Sequence, residues 1–353
     1  MQTITEGKAI IQIPEEVKIS RQMEVFYNQR MKSNRDLTVA VLNAWGKNNL
    51  QIADLFAASG IRAIRILKEC KKEKIEALWM NDHSPDAIQQ IKENLKQNNL
   101  DKDKRITIEQ KDANMFLLES HGFDYIDLDP FGTPVAFLDS ACKRIARDGI
   151  LAVTATDTSA LCGSFPDACK RKYGATPLRC AIMHELGLRI LIKKCQEIGA
   201  QYDKALEPMF SYAKDHYMRV FFLCKKGKEK ANDIVSQHKV IMINNNPVGP
   251  LWKGQLWDKD FVKNMETEEE ETKKFLNIIK EEAMIEQVGF HEIHALCKKN
   301  KLHIPQYLPL MSAIKEAGHK VARTHFSLNG MRSTISEKEL LEIIKNINAS
   351  KSK

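Results

Sequence analysis

Over residues 50–156 the chain alternates short apolar runs with amphipathic stretches, and acids collect where the apolar runs end. Residues 50–56 read as a strand, 60–71 as a helix and 76–82 as a second strand. Ser84 and Pro85 then open a helix to about residue 98, with Ser as N-cap and Pro at the first helical position. Residues 106–112, 123–129 and 149–156 supply three further strands. This order predicts a parallel sheet covered by helices on both faces. Ligands of such sheets bind at the carboxyl ends of the strands. Asp82, Asp112 and Asp129 close three of the first four strands, and Asp54 lies near the end of the other.

Downstream, a long helix is expected over 176–199, then strands over 216–225 and 238–244 separated by a lysine-rich connection. Residues 244–253 (NNNPVGPLWK) are dense in turn formers and read as a boundary between domains 1–250 and 251–353. The smaller second domain is expected to be α+β, with helices over 273–287, 291–299 and 335–348, and the acidic run 266–271 as a solvated helix face. A chain of 353 residues can bury two cores. No apolar run approaches the ~20 residues of a membrane helix, and residues 1–20 lack a secretory pattern. The eight cysteines include no CxxC pair, which points to reduced thiols and a cytoplasmic protein. The net charge of +8 suits an anionic partner such as nucleic acid, although a well-solvated lysine-rich surface gives the same figure.

The first turn, 54–62 (DLFAASGIR), holds one glycine, Gly60, where a dinucleotide fold needs three for backbone approach to a pyrophosphate. A phosphate-free nucleoside cofactor, S-adenosyl-L-methionine, has no such need. Asp82 is placed to accept from its ribose hydroxyls and Asp112 from its adenine amine, with Ala113 offering a small neighbour and a backbone N–H. Each aspartate taken alone also reads as a helix N-cap. The fourth strand ends Asp127-Leu-Asp129-Pro130-Phe131-Gly132. An exocyclic amine on a base is a poor nucleophile because its lone pair is delocalised into the ring. A carboxylate accepting its N–H localises that lone pair and takes the proton. Asp129 fits this role, and Phe131 can stack on the base; an Asp-Pro turn with a core Phe is the alternative. Phe26 could form the other face of a base sandwich and Arg35 could hold a carboxylate, although residues 25–28 and 34–37 also read as core aromatics and a surface arginine.

Together these segments resemble the tRNA guanine-N2 dimethyltransferase family. The resemblance rests on VFYN (25–28), NRDLTV (34–39), DLFAASGIR (54–62), NDHSPDA (81–87), DANMF (112–116), DLDPFGTP (127–134), ATDTSALCGSFPDAC (155–169), YGATPLRCAIMHE (173–185), GPLW (249–252) and ARTHF (322–326) followed by NGMRST. It spans nearly the whole chain, and the compact length is similar to archaeal-type members. It implies a Rossmann-like methyltransferase domain with a C-terminal tRNA-binding domain, acting on N2 of guanosine 26. Carried over, Asp129 is the catalytic acid, Phe26 and Phe131 hold the guanine, and Arg35, Arg62, Asp82, Asp112 and Ala113 hold the cofactor, beside Asp54 and Gly60 of the first turn. The chain departs from the many relatives that carry a CxxC…CxxC zinc site before GPLW. Residues 224–250 contain only Cys224, so no metal and a simple hairpin are expected there. His291 and His294 lack the HExxH spacing and read as polar helix residues.

Phosphate contacts are expected from Lys170, Arg171 and Lys172, from Lys225, Lys226, Lys228 and Lys230, and from Arg323 with Arg332. A monomer is expected. A methyltransferase for adenine or a protein amide is the rival enzyme, disfavoured by Phe131-Gly132 where adenine-N6 enzymes carry a second proline and Tyr. A non-catalytic RNA-binding protein is the rival from another class, disfavoured by the intact Asp82, Asp112 and Asp129. A dehydrogenase is disfavoured by the single glycine of the first turn.

Overall fold

The computed structural model describes residues 2–13 and 27–351. Strands β1 (Gln2–Glu6) and β2 (Ala9–Ile13) form an antiparallel hairpin, followed by helix α1 (Lys32–Ala44). The expected alternation then appears: β3 (Leu50–Asp54), α2 (Ile61–Glu69), β4 (Ile75–Asn81), α3 (Pro85–Gln97), β5 (Ile106–Glu109), α4 (Ala113–Glu119), β6 (Phe123–Leu128), α5 (Leu138–Arg144) and β7 (Ile145–Ala155). Ser84 caps α3, its hydroxyl accepting from Ala87 N, and Pro85 occupies the first turn. The hairpin docks on α3: Asn98 and Asn94 accept from the backbone N–H groups of Ile10 (3.0 Å) and Gln12 (2.8 Å).

Short helices α6 (Thr158–Leu161) and α7 (Pro166–Tyr173) lead to α8 (Met183–Ala200). The last begins later than residue 176 because Thr176 instead bridges the Gly249 backbone. Strands β8 (Lys204–Lys214) and β9 (Tyr217–Lys226) complete a seven-stranded sheet of order β5-β4-β3-β6-β7-β9-β8. Strands β3 to β7 run parallel, while β9 lies antiparallel to β7 and β8 antiparallel to β9. The chain leaves β3 on one side for β4 and returns on the other for β6. The crevice at this switch point is where open α/β sheets bind ligands.

After α9 (Lys228–Ser236), strands β10 (His238–Ile243) and β11 (Asn246–Trp252) form a hairpin turning at Asn244 and Asn245, both left-handed (φ 47° and 63°). This is the simple hairpin expected before GPLW, and asparagine suits such a turn. Then follow α10 (Lys259–Lys263), α11 (Glu270–Glu282), β12 (His291–Glu292), α12 (Ile293–Lys299), α13 (Tyr307–Glu316), β13 (Val321–Thr324), β14 (Ser327–Ser333) and α14 (Glu337–Lys351). His291 thus sits in a strand rather than a helix, its ring bonded to the Ile335 carbonyl at 3.0 Å. The main apolar core continues past residue 250 through Leu256, Trp257, Val262, Leu276 and Ile279. A second core begins at Ile293 and includes Leu310, Ile314, Met331 and Leu340. Among the described residues no helix is long and apolar enough to cross a membrane.

The two cores are joined by buried ions. Arg332 of β14 meets Glu185 of α8 at 2.7 Å and Glu282 of α11 at 2.9 Å, with all three side chains fully buried. His325 adds a 2.6 Å contact to Glu282, and Arg189 a 2.9 Å contact to Glu185. Arg332 is therefore no phosphate contact: the signature NGMRST places it inside, tying the C-terminal sheet to α8. Burial pushes the Glu185 carboxyl up, but Arg332 and Arg189 outweigh it and hold it at about 2. This stabilisation is complete above the ordinary value of 4.5 and is lost as pH falls towards 2. Arg332→Met should lower stability at neutral pH by about 3–5 kcal/mol, because it removes the cation shared by two buried carboxylates and leaves Glu185 only Arg189 and Glu282 only His325. It should also shrink that acid limb. Urea unfolding across pH 2–7 measures both effects, and a loss below about 1 kcal/mol would show the ions to be dispensable.

Candidate active site

The ends of β3, β4 and β6 open onto a cavity of about 310 Å³ lined by Tyr27, Arg35, Asp54, Arg62, Asp82 and Phe131, among others. The turn after β3 is shaped for close approach. Gly60 is left-handed (φ 77°), and a Cβ there would lie 2.7 Å from the Met80 methyl. Ala58 is also left-handed (φ 48°), and its N–H is held by Asp82 at 2.9 Å. The other Asp82 oxygen accepts from Ser84 N at 3.0 Å, so this acid locks two turns together at the cavity rim.

Asp54 is 2% exposed, and its Oδ2 has no hydrogen-bond partner among the described residues. Burial raises its carboxyl to about 7, with Arg62 opposing and Asp127, Asp129 and Asp82 adding to the rise. A buried carboxylate oxygen without a donor, in a cavity without a phosphate cradle, fits a cofactor that carries positive charge and no phosphate. S-adenosyl-L-methionine has both properties.

Beneath the cavity lies a charge network that the sequence did not reveal. Asp127 precedes Asp129 by two residues on β6 and is fully buried against Arg219 of β9, at 2.6 Å. Arg219 also donates to Thr154 Oγ1 (2.6 Å) and Thr38 Oγ1 (3.1 Å). Arg62 of α2 lies 3.4 Å from Asp127, donates to Asn34 Oδ1 (2.7 Å) and bonds the Asp129 carboxylate directly. Burial disfavours ionised Asp127, but Arg219 and Arg62 prevail and hold its carboxyl below the ordinary range. Arg62 therefore fixes the orientation of Asp129.

Arg35 lines the cavity while gripping Glu6 of the N-terminal hairpin in two-point contact (2.6 and 2.5 Å). Glu6 gave no sequence signal, because its partners Arg35 and Arg65 lie 29 and 59 residues away. Phe131 is 47% exposed beside Asp129. Asp112 caps α4, accepting from Asn114 N and Met115 N, and neither it nor Ala113 lines this cavity. Phe26 lies outside the described residues. Among those residues no group of three or more His, Cys, Asp or Glu side chains is arranged to hold a metal ion.

A Rossmann-like sheet with a single-glycine first turn and an Asp-Pro-Phe at the end of its fourth strand defines an amine methyltransferase. The family model for N2,N2-dimethylguanosine tRNA methyltransferase matches residues 7–246 and 241–345. A tRNA (guanine(26)-N(2)/guanine(27)-N(2))-dimethyltransferase of Aquifex aeolicus is 41% identical, over 97% of this chain and 95% of that protein. The tRNA (guanine(26)-N(2))-dimethyltransferase of Methanosphaera stadtmanae is 35% identical, over 99% and 97%. The solved structure of Trm1 from Pyrococcus horikoshii with S-adenosyl-L-methionine superposes with a TM-score of 0.86 at 34% identity, covering 98% of this chain and all of that one. The chain belongs to the N2,N2-dimethylguanosine tRNA methyltransferase family.

Asp54 gives this site a pH signature. Its carboxyl rises from 3.8 to about 7 on folding, so the folded protein binds the extra proton between those values. Stability therefore falls as pH rises across that window. Asp54→Asn should remove the decline, visible as urea midpoints that diverge from the parent protein between pH 5 and 8. Parallel midpoints would contradict the assignment.

Proposed function

We propose that the chain transfers methyl groups from S-adenosyl-L-methionine to the exocyclic N2 amine of guanosine 26 in tRNA, giving N2-methyl- and then N2,N2-dimethylguanosine. The observation that carries this reading is the Asp129 carboxylate, held by Arg62 in the lining of a cavity that also contains the buried Asp54, one of whose carboxyl oxygens has no partner among the described residues. Bound there, the cofactor supplies an electrophilic methyl group. Arg35, Asp54, Arg62 and Asp82, which line the cavity, are proposed to hold it, together with Gly60 of the first turn and with Asp112 and Ala113, which lie outside the cavity lining.

Asp129 accepts an N–H of the guanine amine and so localises the nitrogen lone pair. As the new N–C bond forms, the amine becomes cationic and its proton passes to Asp129. Arg62 keeps the carboxylate aimed, and its hydrogen bonds to Asn34 and Thr38 keep Arg62 itself from turning. The monomethylated amine still carries one N–H, so the same carboxylate serves for the second methyl. Phe131 stacks on the flipped base, with Phe26 proposed for the opposite face. Residues 251–353 are proposed to hold the tRNA body, in a cytoplasmic monomer that needs no metal. The relative at 41% identity, named for guanines 26 and 27, favours the neighbouring guanosine as a second acceptor.

Asp129→Ala should lower the turnover of an unmodified tRNA transcript by about 10²–10⁴-fold, while calorimetric affinity for S-adenosyl-L-methionine changes little. Near-normal turnover in that variant would remove Asp129 as the base.

A further inference from the structure

The segment 155–169 belongs to the family resemblance, yet nothing in the reaction above uses its most conspicuous residue. Phe165 is 63% exposed, on the turn between α6 and α7, and has no ring partner among the described residues. The turn is tightly built: Ser164 N and Phe165 N both donate to the Ser159 carbonyl, at 2.9 and 3.2 Å, and Cys169 N donates to the Phe165 carbonyl. Gly163 packs so closely on the next loop that a Cβ would meet Arg179 N at 2.7 Å. A rigid backbone thus presents a large apolar ring to water.

This turn springs from the target-base loop. Thr156 N donates to the Gly132 carbonyl (2.9 Å), and Gly132 N donates to Thr156 Oγ1 (2.7 Å). On the far side, the Tyr173 hydroxyl bonds both Thr133 (3.0 Å) and Asp157 (2.6 Å), which ties α7 to the same loop. Cations lie on the segments that flank this turn: Lys170 and Arg171 are exposed on α7, with the exposed acid Asp167 between them and the ring, and Arg179 is exposed on the strip whose backbone packs on Gly163. Lys172 is engaged by Asp157 at 3.1 Å. An exposed aromatic amid arginine and lysine is the arrangement that takes an unstacked base and its phosphates.

A supply of such bases exists next to the pocket. Turning the target guanine out of its helix strips one face from each nucleotide beside it. We propose that Phe165 is a second stacking platform, outside the catalytic pocket, that covers the face of the nucleobase flanking the flipped guanosine, with Lys170, Arg171 and Arg179 on the adjoining phosphates. This rests on the tRNA methyltransferase reading above. The platform stabilises the opened RNA without touching the reacting atoms, so it acts on tRNA binding rather than on methyl transfer.

The test compares the parent protein with Phe165→Ala, Phe165→Leu and Phe165→Trp on tRNA transcripts carrying 2-aminopurine immediately 5′ or 3′ of guanosine 26. The expected result is a rise in KM for tRNA of about tenfold in the Ala and Leu variants, with kcat and cofactor affinity unchanged, and recovery in the Trp variant. Fluorescence of one of the two probes should be quenched by the parent protein and released by Phe165→Ala. An unchanged KM, full activity of the Leu variant, or two probes indifferent to the substitution would overturn the platform while leaving the methyltransferase reading intact. Failure of the parent protein to methylate the transcript at all would overturn the methyltransferase reading, and the platform with it.

Discussion

A charge can sit beneath a water-poor pocket only if opposite charge and hydrogen bonds accompany it, and the pairing of Asp127 with Arg219 and Arg62 meets that condition. The network joins β6, β9, α2 and α1, so it also fixes how those elements meet. Its most exposed member is Asp129, whose carboxylate is 15% exposed at the cavity rim. A carboxylate in this position is already oriented, and the ions below it would not need to reorganise if charge developed on a substrate beside it. One oxygen of Asp54, close by, is left without a donor, so the same few residues provide a fixed anion and an unsatisfied carboxyl oxygen.

A similar device joins the two halves of the molecule. Glu185, Arg332, Glu282 and His325 are all buried, and they connect a helix of the catalytic sheet to the C-terminal strands. Burying such ions yields little net stability compared with apolar packing, but it penalises any arrangement that separates them. The consequence is a defined placement of the C-terminal unit against the sheet. Apolar packing of Trp257, Val262 and Leu276 on the main core supports the same placement.

The parallel half of the sheet was legible because its strands are apolar runs bounded by turn formers, and the acids at their ends follow from strand direction alone. Strand β8 was not legible: Glu207 and Pro208 interrupt its pattern, and the structure accommodates them with a bulge at the sheet edge. The hairpin of β1 and β2 is too short to show periodicity. Within the site, Asp54, Arg62, Asp82 and Asp129 were readable from motifs and do line one cavity. Glu6 and Arg219 were not, since a buried ion pair between distant segments leaves no local trace. Arg332 shows the same limit from the other side: a basic residue in a signature looks like a phosphate contact until its burial is known.

The central claim is that the Asp129 carboxylate works on the N2 amine of one guanine. The most direct measurement is incorporation of labelled methyl into paired tRNA transcripts that carry guanosine or inosine at position 26, followed by digestion to nucleosides. Inosine differs from guanosine only in lacking the 2-amino group. The account predicts label in N2-methyl- and N2,N2-dimethylguanosine from the first transcript and none at position 26 of the second. Equal labelling of the two at that position would place the methyl on another atom and contradict the account.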